Sequence, residues 1–200
     1  LRTLRDIVNV VGLGIQSIRP KSLKLFNRQW DSEEKMKAAY DRLRSFGYSV
    51  NLQCIVGLPI ADPVDDALDT IKGMQRIGAG SICSCYPLMI YPASAIGKYC
   101  KDNNFIVNPE CYGDTNSGVT GINFNHVIRE KIRNICKFAT LFVKYNISEE
   151  WMRALIEVEF NDETSKKLSM ARYKECVVDR LKEEGEEVFK EIAETTNVRY

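Results

Sequence analysis

The chain has 200 residues, with 28 Lys plus Arg against 27 Asp plus Glu, and its formal net charge is +1. This balance excludes a bulk electrostatic attraction to nucleic acid or to an anionic membrane surface. Hydrophobic residues make up 44% and charged residues 28%, a composition that is typical of a globular protein and excludes general disorder and collagen-like repeats.

The seven cysteines indicate reduced thiols in a cytoplasmic protein. Their odd number argues against a secreted disulfide framework. The closest pair is Cys83-Ser84-Cys85 and no C-x-x-C spacing occurs, so the sequence predicts no metal ligands in this chain. Cys83 and Cys85 should share one face of a strand, because strand side chains alternate. No apolar run reaches the roughly 20 residues of a membrane span, and we expect no membrane partner.

Three apolar segments predict β-strands, near residues 7–16, 49–56 and 81–90. The segments between them have helical periodicity, near 33–46 and 63–77, which gives a strand–helix–strand–helix–strand order. Helical crossovers of this length return the chain to its starting direction. The pattern therefore predicts an α/β fold with a parallel sheet and both helices on one side.

Capping residues predict where these helices begin and end. Asp31, with Glu34 three residues later, has the spacing of a capping box. Asp62 followed by Pro63 is typical of an N-cap and a first helical residue. Gly47 is expected just after the end of the first helix.

The second half of the chain has a different character. Residues 105–125 are rich in Asn and Gly and predict a long irregular connection. A helical region is expected over 126–200, with Ser148 as an N-cap, and the mixed charges of 161–200 are typical of a solvated helical face. The predicted organisation is an α/β part over 1–104, then the connection, then the helical region.

Polar side chains occur at the ends of the predicted strands, where parallel sheets concentrate function. A buried amide such as Gln16 must find a hydrogen-bond partner or cost about 1–3 kcal/mol, and either loop backbone or a polar ligand would serve. Gln53 is a second amide on the neighbouring strand. Arg28 suits bidentate capture of a carboxylate, with a surface or capping role as the alternative.

Gly12 and Gly14 form only part of a dinucleotide-binding fingerprint. Position 17 is Ser rather than Gly, and Pro20 argues against a helix directly after the strand. We interpret the glycine pair as allowing a ligand or a neighbouring strand to approach closely.

Several short motifs occur in order over residues 7–100: Gly14-Ile15-Gln16-Ser17, Leu23-x-x-Phe26-Asn27-Arg28, Gly47-Tyr48-x-Val50, Val56-Gly57-Leu58-Pro59 and Asp69-Thr70-Ile71. This run resembles the elongator-type branch of the radical S-adenosylmethionine superfamily. That branch includes anaerobic coproporphyrinogen oxidases, methylthiotransferases and cobalamin-binding radical enzymes. The resemblance implies the second half of a partial (β/α)₆ TIM-like barrel, strands four to six, followed by a helical C-terminal region.

The resemblance also implies a cofactor site. Gln16, Arg28 and Gln53 would line the S-adenosylmethionine site, with Arg28 on the methionine carboxylate. The backbone around Tyr86 and Pro87 would pack on the adenine. The resemblance assigns no catalytic residue and names no substrate.

The iron–sulfur ligands of the family are absent from this chain. A [4Fe–4S] cluster is held by three thiolates of a C-x-x-x-C-x-x-C motif, which does not occur here. The resemblance therefore implies a C-terminal part of an enzyme for 5′-deoxyadenosyl radical chemistry, whose partner is a missing N-terminal half that carries the cluster. It leaves cobalamin open as a further cofactor. The alternative function is a non-catalytic docking module that acts through its charged C-terminal helices.

Overall fold

The computed structural model describes residues 7–91, 93–106 and 120–157. These residues form an α/β structure with the elements β1 (Val10–Gln16), α1 (Pro20–Leu25), α2 (Glu33–Ser45), β2 (Ser49–Val56), α3 (Pro63–Gly78), β3 (Ile82–Pro87), α4 (Ala95–Asp102), α5 (His126–Lys144) and α6 (Glu149–Ile156). No helix among the described residues is long and apolar enough to cross a membrane.

The three strands form one parallel sheet in the order β1-β2-β3. Val10 pairs with Ser49 and Asn51 pairs with Ile82, and the register slips between Gly14 and Gln16 at the end of β1. The predicted parallel α/β arrangement is confirmed, although β1 begins and β3 ends inside the predicted limits. A partial barrel needs more strands than the described residues contain, and it stays a prediction.

The predicted helices near 33–46 and 63–77 correspond to α2 and α3. Both contact β2 and each other, and Arg76 of α3 forms an ion pair with Glu33 of α2. They lie on the same side of the sheet, as predicted. Asp62 and Pro63 are the N-cap and first residue of α3, and Gly47 after α2 has the left-handed φ of 84° that such a helix end favours.

The N-cap of α2 is Ser32, so the predicted capping box at Asp31 is wrong. The Ser32 hydroxyl accepts a hydrogen bond from the Lys35 amide. The Asp31 carboxylate instead accepts one from Arg28. Ser and Asp are both good N-cap residues. The Asp31 carboxylate binds the Arg28 guanidinium instead of a helix amide, and Ser32 takes the N-cap position.

The short helix α1 contradicts the expectation that Pro20 prevents a helix after β1. Pro20 is the first residue of α1, where an amide hydrogen has no partner within the helix and the fixed φ of proline is already helical. The helix buries Ser22 and Leu23. Its early start brings the chain after Gln16 back against α3.

One face of the sheet, which we call the covered face, packs against helices. Alternate residues of β2 and β3 are buried there, and α3 and α5 contact these strands. The α3 helix contributes a fully buried apolar stripe. The core of this face comprises Val50, Leu52, Cys54, Val56, Cys83, Leu68, Ile71 and Met74.

The helix α5 completes the cover over β3. Its N-cap is Asn125, and the Thr140 hydroxyl donates a 2.7 Å hydrogen bond to the Cys83 carbonyl. Gln75 of α3 donates a 2.8 Å bond to the Phe142 carbonyl. The sheet and α5 thus belong to one compact unit, residues 1–146.

A second compact unit begins at Ile147. Within it, Ser148 caps α6 by accepting a hydrogen bond from the Trp151 amide, as the sequence predicts. The charged segment 161–200 and most of the predicted connection, 107–119, lie outside the described residues. The division of the chain at residues 104 and 125 therefore stays a prediction.

Candidate functional site

The second face of the sheet, which we call the open face, carries glycines and polar side chains. Its residues alternate with those of the covered face and are partly or largely exposed. A parallel sheet ordinarily has both faces buried, so a face of this composition is suited to a ligand. The open face comprises Val10, Gly12, Gly14, Ser49, Asn51, Gln53, Ile55, Ile82, Ser84 and Tyr86.

An apolar cluster lies beside the carboxyl end of the sheet. Residues that follow β2 and β3 form its centre, including Leu58, Leu88 and Ile90. Phe105 and Phe124, from the two described ends of the predicted connection, pack against it, as does Ile55 of the open face. The carboxyl end of the sheet is therefore walled by apolar side chains.

Gln53 lies across the backbone of Gly12. A Cβ atom on Gly12 would come within 3.0 Å of Gln53 Nε2 and 3.2 Å of its Cδ. The missing side chain therefore leaves room for the amide to lie flat over the neighbouring strand. This confirms the interpretation of Gly12 as a point of close approach, with the side chain of the next strand as the group that approaches.

Gln16 and Arg28 meet at Gly14. Arg28 Nη1 donates a 2.7 Å hydrogen bond to the Gly14 carbonyl. A Cβ atom on Gly14 would lie 2.7 Å from Gln16 Nε2 and 3.8 Å from Arg28 Nη1. Because Gly14 pairs with Gln53 in the sheet, the three predicted site residues gather around two glycines of β1.

Gln16 adopts a backbone conformation that glutamine seldom takes. Its φ is +64°, in the left-handed region, where side chains other than Gly and Asn are uncommon. It occurs where the β1 register slips. Strained conformations of this kind persist where surrounding structure holds them, and they cluster at functional sites.

Arg28 is held by an acidic neighbour that the sequence analysis assigned to a helix cap. Its Nε donates a 2.5 Å hydrogen bond to the Asp31 carboxylate, and both side chains are partly exposed. Arg28 Nη2 has no hydrogen-bond partner among the described residues. A guanidinium carries five N–H donors, so donors remain for a second carboxylate.

A buried polar network supports the turn that carries Gln16. The Ser17 hydroxyl donates a 3.3 Å hydrogen bond to Asp66, and the Ser22 hydroxyl donates to the same oxygen. Thr70 joins by donating to Ser17. These contacts tie the end of β1 and α1 to the first turns of α3.

Asp66 is the titratable group of this network. Its side chain is buried, and its second oxygen, Oδ2, has no hydrogen-bond partner among the described residues. Burial raises the pKa of Asp66, while the Ser22 hydrogen bond and the charge of Arg19 act in the opposite direction. Sequence reasoning missed Asp66, which sits within a helix whose other early residues are also acidic.

The two residues predicted on β3 point to opposite faces. Tyr86 lies on the open face and is 48% exposed, whereas Pro87 is buried. The Leu88 amide that follows donates to the Val56 carbonyl, which continues the sheet pairing beyond the strand. The aromatic ring of Tyr86 is thus available on the same face as Gln53.

No group of three or more His, Cys, Asp or Glu side chains in the described part of the chain is arranged to hold a metal. His126 is the first residue of α5 and is exposed. No protein-family model matches the chain, and no curated protein sequence matches it significantly. What the site does must therefore be inferred from the chemistry of its own residues.

Proposed function

We propose that the chain is the C-terminal part of a radical S-adenosylmethionine enzyme and binds that cofactor on the open face. The observation that carries the proposal is the meeting of the Gln16 amide and the Arg28 guanidinium at Gly14. Gln53 lies on the adjacent strand, against Gly12. One cation and two amides side by side suit a ligand with a carboxylate and further polar groups.

Arg28 would bind the methionine carboxylate. Its Nη2 donors remain available beside the Nε bond to Asp31 and the Nη1 bond to Gly14, and hydrogen bonds of guanidinium to carboxylate are among the stronger ones in proteins. Asp31 acts as a positioning residue, because it fixes the guanidinium plane against β1. It also offsets part of the positive charge, which limits the long-range attraction to the ligand.

The amides and the aromatic ring would orient the rest of the cofactor. Gln16 and Gln53 offer both donors and acceptors, and the glycines let a ligand come close to the β1 backbone. Tyr86 presents an exposed ring on the same face, suited to stacking on a planar base. The apolar cluster at the carboxyl end would exclude water from one side of the site.

The iron–sulfur cluster would be held by residues outside this chain. The sequence lacks the C-x-x-x-C-x-x-C motif, and the described residues hold no set of three suitable ligands. The cluster and S-adenosylmethionine together would supply the radical chemistry of the family. The share of this chain is to bind and orient the cofactor and to limit its contact with water.

The alternative of a docking module is not favoured by any contact in the described residues. It depends on the charged segment 161–200, which lies outside them. The open face favours a small polar ligand instead, because amides and glycines occupy its centre.

Titration calorimetry with S-adenosylmethionine tests the proposal. We expect Arg28→Ala to weaken binding by about 1.5–3 kcal/mol, the usual range for hydrogen bonds to charged groups. Arg28→Lys should recover little, because an ammonium lacks the planar fork. Arg76→Ala is the matched control, since Arg76 lies on α3 and pairs with Glu33; it should bind like the unmodified chain.

Two results would contradict the proposal. The first is the absence of any heat of binding when S-adenosylmethionine is added to the unmodified chain joined to the N-terminal half that the proposal requires. The second is that Arg28→Ala and Arg76→Ala bind the cofactor equally well, which would separate Arg28 from the ligand.

A further inference from the structure

Four cysteines from three elements lie on the covered face of the sheet. Cys54 and Cys85 are register partners on β2 and β3, and Cys83 precedes Cys85 by two positions on the same face. Cys136 reaches this group from α5, and its Sγ lies 3.9 Å from Cys85 Sγ. The five cysteines of the described residues are all free thiols.

The pair Cys85 and Cys136 differs from the other thiols in access. Cys136 is partly exposed, whereas Cys54 and Cys83 are buried. Cys85 is partly exposed as a residue, but its thiol group is buried. A small oxidant can therefore reach the Cys136 thiol more readily than the other three. The pair also joins a strand to a helix, and its sulfurs already lie 3.9 Å apart.

The other pairings fit a disulfide less well. Cys83 and Cys85 are separated by one residue on an extended strand, where Cα atoms stand near the upper limit for a disulfide. Cys54 and Cys85 are held by the parallel ladder at about the 4.8 Å spacing of adjacent strands, with their side chains parallel. This spacing lies within the Cα range of disulfides, but Cys54 is fully buried, so an oxidant meets it less readily than Cys136.

We propose that Cys85 and Cys136 are a modification site at which a peroxide forms a disulfide that fastens α5 to β3. The sulfurs need to approach by about 2 Å to reach the 2.05 Å bond length. The Thr140 hydroxyl, one helical turn along α5, is bonded to the Cys83 carbonyl. The helix is thereby already held against this strand one turn from the pair.

The reaction balances as a two-electron oxidation. The Cys136 thiolate attacks one oxygen of hydrogen peroxide, the O–O bond breaks, and the second oxygen leaves as hydroxide and takes up a proton to become water. The resulting sulfenic acid is attacked by the Cys85 sulfur, which loses its proton as the S–S bond forms and a second water leaves. Two thiols are oxidised and one peroxide is reduced.

The roles of the two sulfurs follow from their different access to solvent. Cys85 donates to Cys136, and that bond, the contact with Cys54 and burial together raise the pKa of the Cys85 thiol. Because its thiol group is buried, Cys85 serves as the resolving thiol. Cys136 is the thiol that meets the oxidant.

Peptide mapping after peroxide treatment tests the site. The folded chain is treated with a small excess of hydrogen peroxide, alkylated under denaturing conditions and digested without reductant. We expect one linked peptide that joins Cys85 to Cys136, two fewer alkylated thiols, and full reversal by dithiothreitol. A linked peptide that joins any other pair would overturn the proposal. So would the absence of a linked peptide when Cys136 is oxidised beyond the sulfenic acid.

Variants separate the pair from general oxidation. Cys136→Ser should abolish the linked peptide, whereas Cys100→Ser should leave it unchanged, because Cys100 belongs to the apolar cluster at the carboxyl end of the sheet. A disulfide that survives in Cys136→Ser would overturn the assignment. The mapping of the unmodified chain decides the question even if a variant does not fold.

Discussion

The two faces of the sheet are built from alternate residues of the same strands, yet they differ in burial and in polar content. The covered face is apolar and closed, with Leu52 and Val56 fully buried beneath helices. The open face has glycines on β1 and amides on β2, with partial exposure throughout. Since adjacent residues share one backbone, the difference lies in the side chains alone. In this sheet one face forms the packed core, and the other carries the residues of the candidate site.

The largest difference in stability is expected when one apolar side chain is shortened to Ala on each face. Leu52→Ala removes a fully buried side chain and should lower the free energy of unfolding by about 2–5 kcal/mol. Ile82→Ala removes a side chain that is 53% exposed on the open face and should change it by less than about 1 kcal/mol. Urea unfolding followed by circular dichroism measures both. Equal losses would show that the open face is also packed.

A second test uses the buried carboxyl of Asp66. Burial raises the pKa of Asp66 in the folded chain, so the folded chain favours the protonated carboxyl. The contribution of this carboxyl to the free energy of unfolding is fully present below the unfolded pKa and is lost as pH rises through the folded pKa. Asp66→Asn cannot ionise. We therefore expect the variant to gain stability relative to the parent as pH rises from about 4, with about 1.4 kcal/mol for each unit of pKa difference.

The comparison of urea midpoints at several pH values isolates this effect, since all other groups are common to both proteins. Ser22→Ala provides a control of opposite direction. It removes a hydrogen bond that favours the charged carboxylate. The free energy of unfolding of Ser22→Ala should therefore fall more with rising pH than that of the parent. A difference between Asp66→Asn and the parent that does not change with pH would contradict the buried-carboxyl interpretation.

The smallest effect on stability is expected at Gly14. A Cβ there meets only the end of the flexible Gln16 side chain at close range, and Ala restricts the unfolded chain, so unfolding should change by less than about 1 kcal/mol. Cofactor affinity should nevertheless fall, because Gln16 must move. Calorimetry and urea unfolding of Gly14→Ala measure the two effects. A variant that unfolds early but binds normally would assign Gly14 to packing.

The strands and the main helices could be predicted because their signals are local. Apolar runs and helical periodicity mark β1, β2, β3, α2 and α3, and proline at the start of α3 is a strong signal. The errors occurred where two local signals compete. Asp31 and Ser32 are both good N-caps, and only the position of Arg28 in space decides between them.

The candidate site was predicted in part. Gln16 and Gln53 follow from polar residues on apolar strands, and parallel pairing then brings them to adjacent strands. The left-handed backbone of Gln16 and the contact of Gln53 with Gly12 depend on the register slip and on side-chain direction. Neither is encoded in a short window of sequence. The network at Asp66 spans residues about fifty positions apart and has no local signature.

The contact between Gly12 and Gln53 links two positions that are distant in the chain. Any side chain at position 12 would occupy the space that the Gln53 amide now fills. A substitution at one position therefore changes what the other tolerates, and an alanine at position 12 should be accepted more readily beside a shorter residue at position 53. In descendants of this sequence the two positions should vary together, so that natural variation itself becomes a record of how β1 and β2 are paired.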